Sequence, residues 1–141
     1  MLGRKDESMI RRIDHVSIVV KSTDEFVSQF GEVFGFAIEE TLLMPEQGFR
    51  STMIRKEDIL IELIEPLGEG PIAKFLEKRG NSLHHVSFRV DDIDKDAESL
   101  KAKGMQVVSE KPFRPTEVAR TNFIKPASTG GILIELIERK K

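Results

Sequence analysis

The sequence predicts an α+β protein made of two tandem βαβββ modules whose eight strands form one strongly curved mixed sheet, with the helices on its outer face. Three observations carry this reading. The heptapeptide ILIELIE occurs twice, at residues 59–65 and 132–138, an offset of 73. A second pair, DHVSIVV at 14–20 and HHVSFRV at 84–90, recurs in the same order at an offset of 70. Each member of that second pair is followed by a helical pattern closed by a glycine. Self-similarity at a fixed spacing marks a repeated supersecondary unit, here a module of about half the chain.

The elements follow in order. Residues 1–12 are charged and without periodicity, and are expected to be a mobile extension ahead of a single domain at 13–141. The first strand is 14–20, with Val16, Ile18 and Val20 on one face and His15, Ser17 and Val19 on the other. Ser22 and Glu25 form a capping box, and Phe26, Val27, Phe30, Val33 and Phe34 recur at helical spacing until Gly35. Three extended stretches at 36–43, 49–54 and 58–65 complete the first module, 13–66. The linker, 67–82, holds a short helix opened by Pro71 at its first position and closed by Gly80. The second module, 83–138, begins with the strand at 84–90. A helix over 94–103 follows, with Asp94 as N-cap and Gly104 at its stop. Its remaining strands are 105–110, 118–125 and 131–138, and the segment with Pro112 and Pro115 is a loop.

Composition narrows the function. A chain of 141 residues with 39% hydrophobic residues can bury one core. The net charge of −2 and the even spread of its 22 basic residues argue against nucleic acid or an anionic membrane as partner, and favour a small molecule. Without cysteine there is no disulfide framework and no thiolate metal site. No long apolar run opens the chain, so a cytoplasmic protein is expected.

The twin heptapeptides place Glu62 between Leu60 and Ile64 on one face, and Glu135 between Leu133 and Ile137. A carboxylate in apolar surroundings costs several kcal/mol unless it is paired, hydrogen-bonded or bound to a cation. Two of the three histidines, His15 and His85, also occupy equivalent places in the repeat. A pseudo-twofold relation between the modules lets two His and two Glu converge on one point. That set suits a divalent Co, Ni, Mn, Fe or Zn ion, with the sheet curved around it. Singly, such a His or Glu is more often structural; the symmetric recurrence points to a metal. His84 has the opposite parity and reads as a packed or hydrogen-bonded neighbour, and Glu65 and Glu138 as residues where the strands leave the sheet.

Paired βαβββ modules with a His on the first strand and a Glu on the last resemble the vicinal-oxygen-chelate (glyoxalase/bleomycin-resistance/dioxygenase) superfamily. The similarity is greatest to methylmalonyl-CoA epimerases. It rests on IDHVSIVV, PEQG at 45–48, IELIEPLGEGPIAKFLEKRG at 61–80, LHHVSFRVDDID at 83–94 and STGGILIEL at 128–136. The resemblance implies metal ligands His15, Glu62, His85 and Glu135 around one divalent ion (Co, Ni, Mn or Zn), an acyl-CoA or similar thioester substrate, and a homodimer. It implies an isomerase that removes and returns the proton α to the thioester through a metal-stabilised enolate, with Glu135 as one base.

The second base departs from the family pattern. Ser51 stands where some epimerases carry Glu, and Glu46 is the nearest alternative. Gln47, Arg50 and Lys125 are candidate substrate-binding residues, and Arg114 and Arg120 could add positive charge. Lys125 and Ala127 replace a His and a Lys of the family's HPKSTGG segment. The competing reading is a glyoxalase I-type lyase acting on a thiol hemithioacetal, which shares the ligand set; the epimerase-like linker and the lack of Trp and Tyr argue against it. An extradiol dioxygenase would use only one carboxylate, and a metal-free binding module would leave both glutamates among aliphatic neighbours without a cation.

Overall fold

The computed structural model describes residues 9–140 of the chain. Eight strands are ordered β2-β3-β4-β1-β5-β8-β7-β6 in a mixed sheet, in the α+β class the repeat predicts. Two compact units make up the molecule, one of residues 15–84 and the other of 9–14 with 85–140. β1 (Ile10–Val19) is divided between them, its first half belonging with the second unit.

In the unit of residues 15–84, β1 pairs in parallel with β4 (Ile59–Pro66), and β2 (Ala37–Met44) and β3 (Phe49–Lys56) extend the sheet antiparallel. Val20, Ile54, Ile61 and Leu63 are buried, and Val16, Ile18, Phe26, Val27 and Phe30 pack on them. The apolar face of β1 therefore lies under the first helix, as its alternation requires. Ser22 Oγ accepts from the Glu25 amide at 3.2 Å, supplying the expected N-cap. The helix is α-helical only over Thr23–Phe26 (α1) and widens to a π-type turn over Val27–Gly31, where the Glu32 and Phe36 amides reach back five residues. Phe26, Phe30 and Phe34 stack along it at 4.9 Å spacings.

The linker helix α2 (Pro71–Arg79) begins at the expected proline and ends at Gly80, whose φ of 69° suits glycine. It covers the opposite face at the far end of the strands, where Ile72, Phe75 and Leu76 pack on Val19 and Ile64. His84 meets Phe75 edge-on, with centroids 4.8 Å apart.

In the other unit β5 (Ser82–Val90), which enters it at His85, runs parallel to β8 (Ile134–Arg139), and β7 (Ala119–Ile124) and β6 (Phe113–Thr116) follow antiparallel. Val90, Ile93, Ile124 and Leu136 form its core, with Phe88 and Leu100 packed on them. Two expectations need correction. The helix α3 covers Ile93–Ala102 with Asp92, not Asp94, as N-cap, because the Asp92 carboxylate accepts the Lys95 amide at 3.1 Å. Asp94 instead pairs with Arg120 at 2.9 Å. The sixth strand is not 105–110 but the proline-containing segment 113–116, read from the sequence as a loop. As the sheet's outermost strand it tolerates Pro115, whose missing N–H costs no ladder bond on an open edge. Residues 105–110 run beside β7 irregularly. The Asn122 side chain replaces two ladder bonds there, donating to the Ser109 carbonyl at 2.8 Å and accepting its amide at 3.3 Å.

Of the expected N-terminal extension, residues 1–8 lie outside the described residues, and Ile10–Arg12 belong to β1.

Glu65 and Glu138 do more than end their strands. Each lies three residues beyond the central Glu of its heptapeptide, hence on the opposite, helix-bearing face. Glu65 accepts the Thr23 amide at 2.7 Å and Arg50 Nη2 at 3.0 Å. Glu138 accepts the Ile93 amide at 3.0 Å and both Arg120 Nε and Nη2. Each module thus ties the start of its helix to its last strand, with an anion at the positive helix end. Burial pushes the Glu65 carboxyl up, but the Thr23 amide hydrogen bond and Arg50 outweigh it and hold the group below its ordinary value. A carboxyl lowered on folding adds stability above its unfolded pKa and loses it as pH falls through the folded one. In denaturant titrations, Glu65→Gln is therefore expected to flatten the decline in stability below about pH 4.5, the ordinary value; an unchanged acid slope would refute this.

Candidate metal centre

The register fixes what faces what. Ser17 is opposite Glu62 across β1 and β4, and Ser87 is opposite Glu135 across β5 and β8. Since paired residues share a face and alternate residues return to it, His15 joins Glu62, and His85 joins Glu135. His15 Nε2 lies 3.6 Å from Glu62 Oε1, and His85 Nε2 lies 3.6 Å from Glu135 Oε1. All four side chains are shielded from solvent, the histidines to within 3% and the glutamates to within 14%. Each unit therefore holds a buried imidazole nitrogen beside a carboxylate that is buried for Glu135 and partly buried for Glu62, on the face away from α1 or α3.

Such a donor set fits a divalent cation. Imidazole nitrogen and carboxylate oxygen suit Zn, Co, Ni or Mn, and a cation would compensate carboxylates that aliphatic residues keep from water. Leu60 and Ile64 flank Glu62 on its face, and Ile64 is 3% exposed.

The two glutamates differ in their supports. Glu62 accepts hydroxyl hydrogen bonds on both oxygens, from Ser17 to Oε1 and from Ser51 to Oε2, each 2.6 Å. Ser51 stands opposite Ile64 on β3, diagonal to Glu62 and on its face. Ser87, the counterpart of Ser17, is fully buried, yet its Oγ has no hydrogen-bond partner among the described residues. Phe123, opposite Glu135, stands edge-on to His85 with centroids 5.1 Å apart. Sequence parity puts Ser17 on the histidine face without assigning it a task. The pairing of β3 with β4, which joins Ser51 to Glu62, is invisible in local patterning.

The remaining candidates are placed differently. Glu46 and Gln47 are exposed in the turn between β2 and β3, where the Gln47 amide donates to the Met44 carbonyl. Arg50 lies on the helix face bound to Glu65, and Arg120 is held by Glu138 and Asp94. Lys125 is exposed at the start of a 3₁₀ turn over Pro126–Thr129. Arg114 lies on β6 and donates to the Glu117 carbonyl.

Each of the two βαβββ modules therefore sets a strand-borne His beside a Glu of its parallel neighbour. The chain belongs to the glyoxalase/bleomycin resistance protein/dioxygenase superfamily, whose family profile matches residues 14–123. Its relatives include isomerases. One is the ethylmalonyl-CoA/methylmalonyl-CoA epimerase of Cereibacter sphaeroides, 34% identical over 131 residues that cover 91% of this chain and 98% of that protein. The crystal structure of methylmalonyl-CoA epimerase from Mycobacterium tuberculosis superposes with a TM-score of 0.89 at 33% identity, covering all of this chain and 94% of that one. A single-residue variant of the Streptomyces coelicolor methylmalonyl-CoA epimerase, in complex with 2-nitronate-propionyl-CoA, matches at a TM-score of 0.84 and 31% identity, covering 95% of this chain and 100% of that one. No helix among the described residues is long and apolar enough to cross a membrane.

Proposed function

We propose that the protein is a metal-dependent epimerase of methylmalonyl-CoA or a similar 2-substituted acyl thioester, with His15, Glu62, His85 and Glu135 holding one divalent ion. The observation that carries the reading is the repeated His Nε2 to Glu Oε1 approach of 3.6 Å, largely shielded from solvent in both units. The epimerase relatives at 31–34% identity support the acyl-CoA substrate class. A homodimer and a cytoplasmic location are part of the same proposal.

A bound divalent ion supplies a Lewis acid for the negative charge that builds as an α-proton leaves. The chain's residues do the rest. Glu135, the central carboxylate of its strand, takes and returns the proton. Glu62, with both oxygens engaged by hydroxyls, holds charge and position. The histidines give imidazole nitrogen donors carried on strands. Leu60 and Ile64 help keep Glu62 from bulk water, which strengthens its electrostatic contacts.

The test is deuterium exchange. Purified protein loaded with Co²⁺ is expected to replace the α-proton of methylmalonyl-CoA with deuterium in D₂O, followed by NMR, and elemental analysis should give about one ion per chain at saturation. Absence of exchange with any divalent ion, together with isomerisation of a thiol hemithioacetal, would move the protein to the glyoxalase reaction.

A further inference from the structure

The geometry points to Ser51 as a positioning residue that, with Ser17, clamps Glu62 as a fixed ligand. This rests on the metal site proposed above and adds a role that resemblance does not give. Ser51 stands where some epimerases carry a glutamate that could serve as a base. Its hydroxyl proton is directed at Glu62 Oε2 at 2.6 Å, so Ser51 acts as a donor to a carboxylate and does not receive a substrate proton.

Three observations support the clamp. Ser17 and Ser51 are 0% and 5% exposed, so water does not compete for their hydroxyls. They come from different strands, β1 and β3, on either side of β4, and they take opposite oxygens of one carboxylate. A side chain held from both flanks loses its rotational freedom before any ion arrives, which lowers the entropy cost of binding. The clamp is also not a by-product of duplication. The second unit has hydroxyls at both equivalent places, Ser87 and Thr121, yet Ser87 Oγ makes no hydrogen bond among the described residues. One module thus immobilises its carboxylate, and its twin omits the matching serine contact from the carboxylate proposed to move a proton.

The test measures Co²⁺ affinity of the purified protein by competition with a chromophoric chelator, together with the visible absorption of the bound ion. Ser51→Ala and Ser17→Ala are each expected to weaken Co²⁺ binding by about 10-fold or more, the usual consequence of removing a support behind a metal ligand. Ser51→Thr and Ser51→Val have the same shape and suit a strand, but only Thr keeps the hydroxyl. Thr is expected to retain the wild-type affinity and absorption band, and Val to lose both. That pair decides the matter even where Ser51→Ala fails to fold. Ser87→Ala is expected to bind Co²⁺ as wild type does.

Equal affinity of the Thr and Val variants, or an equal loss in Ser87→Ala, overturns the clamp while leaving the metal site standing. Failure of the wild-type protein to bind Co²⁺ overturns both, and is distinguished by being independent of any serine substitution.

Discussion

Glutamine in place of Glu135 is expected to slow deuterium incorporation at the α-carbon of methylmalonyl-CoA by about a thousandfold, within the range for loss of a general base. Gln keeps the size and one oxygen of the side chain, so the strand and its neighbours should be undisturbed; only the group that accepts a proton is removed. The comparison that gives this meaning is Glu62→Gln. Glu62 is held by Ser17 and Ser51, and an amide oxygen can still serve as a ligand, so a far smaller loss is expected there. Exchange rates in D₂O, read alongside metal content per chain, separate the two. A mild Glu135→Gln and a severe Glu62→Gln would reverse the roles assigned here, and equal losses accompanied by loss of metal would reduce both residues to ligands.

The second large effect concerns stability. Asp14 has a side chain with no exposed surface, and its carboxylate is shared by two arginines. Arg89 Nε reaches Oδ1 at 2.8 Å, and Arg139 Nε and Nη2 reach Oδ1 and Oδ2 at 2.9 and 2.8 Å. Asp14→Ala removes the anion and leaves two guanidinium groups together. Breaking a buried ion pair from one side ordinarily costs about 3–5 kcal/mol. Because the arginine side chains are 39% and 28% exposed and water can reach them, the lower end, about 3 kcal/mol, is expected. In a chain of this size that lowers Tm by about ten degrees. Urea unfolding of Asp14→Ala checks the value, and a triple variant with Arg89→Met and Arg139→Leu should recover most of it. A loss under about 1 kcal/mol would mean that solvent already carries these charges.

Much of this was legible in the sequence because it depends on period two. Alternation put His15 and His85 on the face away from α1 and α3, and the same rule gave Glu62 and Glu135 their side. Pro71 and Gly80 marked the linker helix by backbone chemistry alone. What escaped depended on partners distant in sequence. Asp92 and Asp94 are both suited to a cap by composition, and Arg120, on another strand, decides between them by engaging Asp94. Residues 105–110 have a strand's composition, but the Asn122 side chain takes the backbone bonds of Ser109 and breaks the ladder. Pro115 reads as a loop residue until the strand order makes its neighbourhood an edge. Glu65 and Glu138 read as incidental because the helix starts they cap lie 42 and 45 residues away.

The division of β1 limits how this molecule can be taken apart. Its sequence halves read as two copies of one unit, and the obvious place to cut is the linker. A fragment beginning after that cut would leave residues 9–14 behind on the wrong piece. It would carry Arg89 and Arg139 without the aspartate that binds them both. The ancestral module implied by the repeat is therefore no longer a free-standing part. The repeat divides at the linker whereas the compact units divide inside β1, so the repeated stretch and the packed unit are not the same piece of chain.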